Sequence, residues 1–224
     1  MKYFFNQNYN LMKIKINEIY YSIQGESSYV GLPCIFIRLT YCNLRCTYCD
    51  SEYTFYDGKD MDIKEILNEI KKYECNLVEV TGGEPLFQKN CIKLLEELVE
   101  LDYKVLLETS GSLSIKNVPK KVTNIIDFKC PSSGMKKKNL WDNIKYLKSH
   151  DEVKFVIGDK EDYNWAKEKI NKYNLDNKCN ILFSPIYKKI ESREITKWIL
   201  EDNLNIRFQI QLHKEIWDDK DRGV

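Results

Sequence analysis

The sequence predicts an α/β fold, an incomplete TIM-like (β/α)6 barrel with parallel strands in a single domain. Three observations carry this. Short apolar runs alternate with amphipathic helical segments along most of the chain, as in βαβ units joined by right-handed crossovers. Polar and Gly/Pro-bearing stretches gather just after the runs, where a parallel barrel presents its active face. About six core strands can be counted, fewer than the eight that close a full barrel.

Residues 1–11 are polar and Asn-rich without periodicity. They are read as an N-terminal extension and a candidate for disorder, with Met12 an alternative start and 12–224 the core domain. From Lys13, the spacing of Ile14, Ile16 and Ile19 leads into Tyr20-Tyr21-Ser22-Ile23-Gln24-Gly25-Glu26, a strand running into a polar loop. Cys34-Ile35-Phe36-Ile37-Arg38-Leu39 reads as the first barrel strand, apolar but for one charge. Asp62 to Tyr73 places Ile63, Ile66, Leu67 and Ile70 on one helical face, with Asp62 and Glu65 at capping-box spacing.

The alternation then repeats. Strands are expected at 77–80, 105–107, 122–128, 153–157, 180–183 and 206–212. Helices are expected at 90–100, 141–148, 162–173 and 194–201. No internal repeat or linker marks a second domain.

With 35 Lys+Arg against 34 Asp+Glu, the net charge of +1 gives no basic field for nucleic acid. A small polar ligand suits this balance better than a polymer. No apolar run approaches the roughly twenty residues that span a bilayer. The eight cysteines come without a visible signal peptide, and a reducing cytoplasm is the expected compartment. Cys34, Cys75, Cys91, Cys130 and Cys179 stand singly, as small buried hydrophobes do.

The other three stand together in Cys42-Asn43-Leu44-Arg45-Cys46-Thr47-Tyr48-Cys49. Three thiols spaced Cys-x3-Cys-x2-Cys can hold three irons of a four-iron cluster, leaving one iron open to a chelating small molecule. A structural zinc site would take a fourth ligand, commonly histidine, and His150 and His213 lie far off in sequence. Thr81-Gly82-Gly83-Glu84-Pro85 follows a strand, and its glycines let backbone approach a ligand closely. Taken with the cysteine loop, it resembles the second motif of the radical S-adenosylmethionine (SAM) superfamily.

Further stretches narrow the resemblance. Tyr21 to Glu26, Arg38, Cys49-Asp50-Ser51, Leu107 to Gly111, Lys129 to Gly134, Lys154 to Ile157 and Gln211-Leu212-His213-Lys214 together look like the 7-carboxy-7-deazaguanine synthase family. The match runs from about Asn17 to the C-terminus. It implies a radical SAM barrel and a carbon–nitrogen lyase of queuosine biosynthesis. That enzyme contracts 6-carboxy-5,6,7,8-tetrahydropterin after hydrogen abstraction at C6, with loss of ammonia.

The resemblance further implies a 4Fe-4S cluster on Cys42, Cys46 and Cys49, and SAM against Tyr48, Cys49, Asp50, Gly83, Glu84, Asp127, Phe128 and Lys129. Substrate contacts would come from Ile23, Gln24, Gly25, Arg38, Thr81 and the terminal carboxylate of Val224. Ser51 would give an oxygen to Mg2+. A flavodoxin or ferredoxin donor and a homodimer complete the family picture.

Two departures stand out: Ser27 where relatives usually carry Gly, and Cys130 where many carry Pro. Several alternatives stay open at this level. Ser51 could serve only as a helix cap, Arg38 only as an ion-pair partner, and His213 as a satisfied core residue. For the whole chain, a glycyl-radical-enzyme activase or a non-catalytic three-cysteine zinc protein are the rivals.

Overall fold

The computed structural model describes residues 12–217 and 222–223. The expected extension over 1–11 and the carboxylate of Val224 lie outside the described residues. Nine strands form one open sheet among the described residues, in the order β3-β1-β2-β4-β5-β6-β7-β8-β9. The strands are β1 (Lys13–Ile23), β2 (Pro33–Leu39), β3 (Lys59–Asp62), β4 (Leu77–Gly82), β5 (Lys104–Thr109), β6 (Thr123–Asp127), β7 (Glu152–Ile157), β8 (Asn180–Pro185) and β9 (Arg207–Phe208). From β2 to β9 every pairing is parallel. The incomplete parallel barrel is therefore present, extended at one edge by β1 and β3, which pair antiparallel.

Helices α1 (Ile63–Ile70), α2 (Cys91–Glu100), α3 (Lys160–Tyr173) and α4 (Ser192–Glu201) cover the outer face, and the short α5 (His213–Ile216) follows β9. At the start of α1, Asp62 accepts from the Glu65 amide (3.0 Å) while Glu65 accepts from the Asp62 amide (2.9 Å). The capping box holds as its spacing predicts. The segment at 141–148 differs from expectation: Trp141–Tyr146 is a 3-10 helix. Its aromatics explain this, since Trp141 is committed to stacks on Phe128 and Tyr173, which anchor the segment by side chains rather than by a helical ladder. The strand expected at 206–212 shrinks to two residues; beyond it the Leu212 amide donates to the Gly25 carbonyl (2.9 Å), and α5 begins at His213.

Strand alternation sorts the side chains into two cores. Outward residues such as Ile35, Ile37, Val78, Val80, Val105, Leu107, Ile126, Val153, Phe155 and Phe183 pack beneath the helices. Inward, Tyr20, Cys34, Phe36, Leu77, Leu106 and Ile125 form a smaller apolar plug. Above this plug the inward positions turn polar: Arg38, Thr81, Glu108, Asp127 and Lys154. That switch opens a polar cavity at the C-terminal strand ends. No helix among the described residues is long and apolar enough to cross a membrane.

Candidate active site

The cavity has a volume of about 790 Å³, and the cysteine loop, the strand ends of β2 and β4–β8, and α5 all contribute to its lining. This lies within the range of small-molecule sites. The loop is shaped by contacts other than its thiols. The Arg45 guanidinium donates to the carbonyls of Leu44 (2.6 Å) and Cys42 (2.9 Å) and lies over the Phe55 ring at 4.1 Å. Thr47 donates from Oγ1 to the Ser132 carbonyl (2.6 Å) and from its amide to the Ser133 carbonyl (3.1 Å). Gly83 sits against this loop so closely that a Cβ there would come 2.3 Å from the Tyr41 carbonyl oxygen. Only glycine permits that approach.

Burial pushes the Cys46 thiol up to about 11, with the Lys129 cation pulling the other way; burial raises Cys42 as well. Such thiols ionise when metal charge binds them.

The lower part of the cavity is one polar network. Lys154 is almost fully buried and binds Glu108 (2.5 Å) and Glu26 (2.8 Å), with Asp127 at 3.7 Å. Thr81 donates to the other oxygen of Glu108 (3.1 Å). Burial works against ionisation of Glu108, but the Lys154 charge and hydrogen bonds from Lys154 and Thr81 prevail and hold its carboxyl below the usual range. Arg38 donates to Glu18 (2.7 Å) and to the Tyr20 hydroxyl (2.6 Å), so its guanidinium is fixed in orientation. Asp50 pairs with Lys214 at 2.6 Å.

Most expected site residues meet here. Cys42, Cys46, Tyr48, Cys49, Asp50, Ser51, Gly83, Asp127 and Lys129 line the cavity together with Ile23, Gln24, Gly25, Arg38 and Thr81. Two do not. Glu84 is fully buried behind the wall and accepts hydrogen bonds from Leu86, Thr109 and Ser110, so its carboxylate ties two strand ends together. Phe128 points into the outer core against Trp141 and Phe155.

Ser51 occupies the cap position of the 3-10 helix Glu52–Phe55, yet its side chain makes no capping bond. Its hydroxyl stands 3.8 Å from Cys49 Sγ instead. His213 lines the cavity and packs on Gly25, and burial holds its imidazole toward the neutral form.

Both departures from the family pattern fit their backbone. Ser27 adopts φ 65, where glycine is favoured, and its side-chain oxygen accepts from the Tyr29 amide (3.1 Å) in partial compensation. Cys130 has φ −73, an angle proline also takes.

Sequence reasoning passed over Glu79 and did not single out Glu108 or Lys154 as site residues. The available signal was the one used for Arg38, a lone charge inside an apolar strand.

The radical SAM superfamily model matches residues 36–182. A 7-carboxy-7-deazaguanine synthase of Koribacter versatilis is 46% identical, across 94% of this chain and 100% of its own length. The chain belongs to the 7-carboxy-7-deazaguanine synthase family of radical SAM enzymes. A second synthase of this family, from Chlorobaculum tepidum, is 42% identical over 94% of this chain and 97% of its own. The crystal structure of QueE from Escherichia coli shares the fold, with a TM-score of 0.76 at 22% identity, covering 90% of this chain and 95% of that one.

Radical SAM enzymes work with a 4Fe-4S cluster and SAM, and the cavity suits both. Three half-buried, unbridged thiols line one side of it. The Tyr48 hydroxyl and one oxygen of Asp127 are buried there without a hydrogen-bond partner. Buried polar atoms in that state cost about 1–3 kcal/mol each until something pairs with them, and a polar ligand bound beside the thiols would do so.

Proposed function

We propose that this radical SAM lyase converts 6-carboxy-5,6,7,8-tetrahydropterin to 7-carboxy-7-deazaguanine with loss of ammonia, in a single core domain over 12–224. One observation supports this above others: the three thiols open into the same cavity as Gln24, Arg38, Thr81 and Lys154. Radical source and the Arg38 guanidinium thus share one space. Family membership sets aside the activase and zinc readings.

Cys42, Cys46 and Cys49 would hold the cluster, and Tyr48, Asp50, Gly83, Asp127 and Lys129 would bound SAM, with Phe128 contributing backbone only. When bound, the two would supply the 5′-deoxyadenosyl radical that removes hydrogen from C6. The chain's own work is placement. Arg38, already locked by Glu18 and Tyr20, presents a fixed guanidinium to the substrate carboxylate at little entropic cost. Gly25 and Glu26 of the loop after β1, with His213 and Lys214 of α5, wall the cavity on one side and would limit the water that reaches the reacting carbon. The terminal carboxylate of Val224 is a further candidate contact. A flavodoxin or ferredoxin would deliver the electron, in the cytoplasm, to a homodimer.

The test is anaerobic incubation of reconstituted enzyme with SAM, dithionite and the carboxypterin, read by product mass. A deazaguanine carboxylate is expected; cleavage of SAM with no such product would sink the substrate assignment.

Mg2+ is part of the same proposal. Ser51 offers a hydroxyl that no capping bond occupies, which suits one oxygen ligand of a hard cation completed by substrate and water. Ser51→Ala should raise the Mg2+ concentration needed for half-maximal product formation several-fold and leave iron content unchanged. Superimposable Mg2+ titrations of the two proteins would remove Ser51 from the metal site.

A further inference from the structure

Glu79 is 3% exposed, on β4, and its side chain lines the cavity floor. In the sheet its neighbours are Phe36 on one side and Leu106 on the other, both members of the apolar plug. Glu79 therefore sets a carboxyl at the level of the apolar plug, one layer beneath the Lys154 network. Its hydrogen bond is to a neutral group: Gln24 Nε2 donates to Glu79 Oε2 at 2.6 Å. Among the described residues no ion pair to Glu79 is formed; the nearby Lys154 pairs with Glu26, Glu108 and Asp127 instead.

We propose that Glu79 is a substrate-binding residue, a hydrogen-bonded acid on the cavity floor that takes the lactam edge of the pterin ring. This rests on the substrate reading given above.

The layer order supports the assignment. Arg38 pairs across the sheet with Thr81, one layer nearer the cluster than the Phe36 and Glu79 pair. A ring whose C6 carboxylate is held at the Arg38 level has its pyrimidinone end directed away from that carboxylate, toward the floor. That edge carries a carbonyl acceptor beside an N–H donor. A neutral carboxyl carries a hydroxyl donor beside a carbonyl acceptor and matches it, whereas a carboxylate offers acceptors alone.

Burial, with the nearby Glu108 charge, pushes Glu79 up to about 8, against the hydrogen bond from Gln24. The titratable groups that face it are Tyr20 from β1, Cys34 from β2, Glu108 from β5, Lys154 from β7 and Glu26 from the loop after β1. Below about pH 8 the carboxyl holds its proton and the donor is present; as pH rises through that value the donor is lost.

The experiment is equilibrium binding of 6-carboxy-5,6,7,8-tetrahydropterin to anaerobic, cluster-reconstituted, SAM-loaded protein from pH 6.5 to about 9, bracketing that value, for wild type, Glu79→Gln and Glu79→Leu. Glutamine keeps a donor and an acceptor but cannot ionise. It should bind within about threefold of wild type at neutral pH and lose the alkaline fall in affinity. Glu79→Leu should bind about tenfold more weakly, the effect of one buried hydrogen bond, with SAM affinity and iron content unchanged.

The other titratable groups are common to all three proteins, so a difference in pH profile belongs to Glu79. The inference is overturned by a wild-type affinity flat across the range, by Glu79→Gln as weak as Glu79→Leu, or by Glu79→Leu equal to wild type. If Glu79→Leu does not fold, the Glu79→Gln profile alone decides. Wild-type protein that binds SAM but no carboxypterin would overturn the substrate reading, and this inference with it.

Discussion

Cys46→Ala should eliminate turnover and strip the protein of its cluster while leaving the fold in place. A four-iron cluster held by Cys42, Cys46 and Cys49 would take one protein thiolate on each of three irons, so losing one would leave two cysteines to hold an assembly that needs three. The loop, in contrast, does not depend on the thiols for its shape. Arg45 over Phe55, the Arg45 hydrogen bonds and the clamp of Thr47 on Ser132 and Ser133 hold it. Cys46 itself is half-exposed, so truncation opens no core cavity. Iron analysis and visible absorption after anaerobic reconstitution should fall to background, and product formation with them, while far-ultraviolet circular dichroism matches wild type. Retained iron with full activity would mean that another residue supplies the ligand.

The cluster loop was legible in the sequence because its chemistry is local. Three thiols within eight residues cannot help lying near one another, and two glycines after a strand are permitted few uses. The parallel barrel was legible for a similar reason, since its outward faces repeat an apolar period that Val78 and Val80 or Val105 and Leu107 follow strictly. The 3-10 segment at 141–146 was not, because its aromatic contacts come from residues such as Tyr173 that are distant in sequence.

The floor of the cavity was the hardest part to foresee. Lys154, Glu26 and Glu108 come from three separate parts of the chain: Lys154 and Glu108 each look like a stray charge in or at the end of an apolar run, and Glu26 like an ordinary residue of a polar loop. Glu84 shows the opposite failure: its motif is local and recognisable, but its hydrogen bonds to Thr109 and Ser110 turn on where β5 ends. Motif and orientation are different kinds of information, and only the first is written in adjacent residues.

Lys154→Met should cost the protein about 3–5 kcal/mol of stability, the penalty of removing one partner from a buried ion pair. Methionine matches the length of the lysine stem, so packing changes little and the loss is electrostatic. What remains is a cavity floor with Glu26, Glu108 and Asp127 facing one another without the cation that lies 2.5 to 3.7 Å from them. The pH dependence identifies this cause.

In the wild type Glu108 is held below its ordinary value, so it stabilises the fold above the unfolded pKa of about 4.3 and withdraws that contribution as pH falls. Without Lys154, burial and like charge dominate and its folded pKa rises above the unfolded one. The native state then binds more protons than the unfolded chain, and stability falls as pH increases. Anaerobic urea unfolding of reconstituted protein at pH 5, 6.5 and 8 should accordingly show the gap between variant and wild type widening with pH. Lys154→Arg, which keeps the charge, should recover most of it. A gap independent of pH would assign the loss to packing and remove Lys154 as the electrostatic keystone of the site.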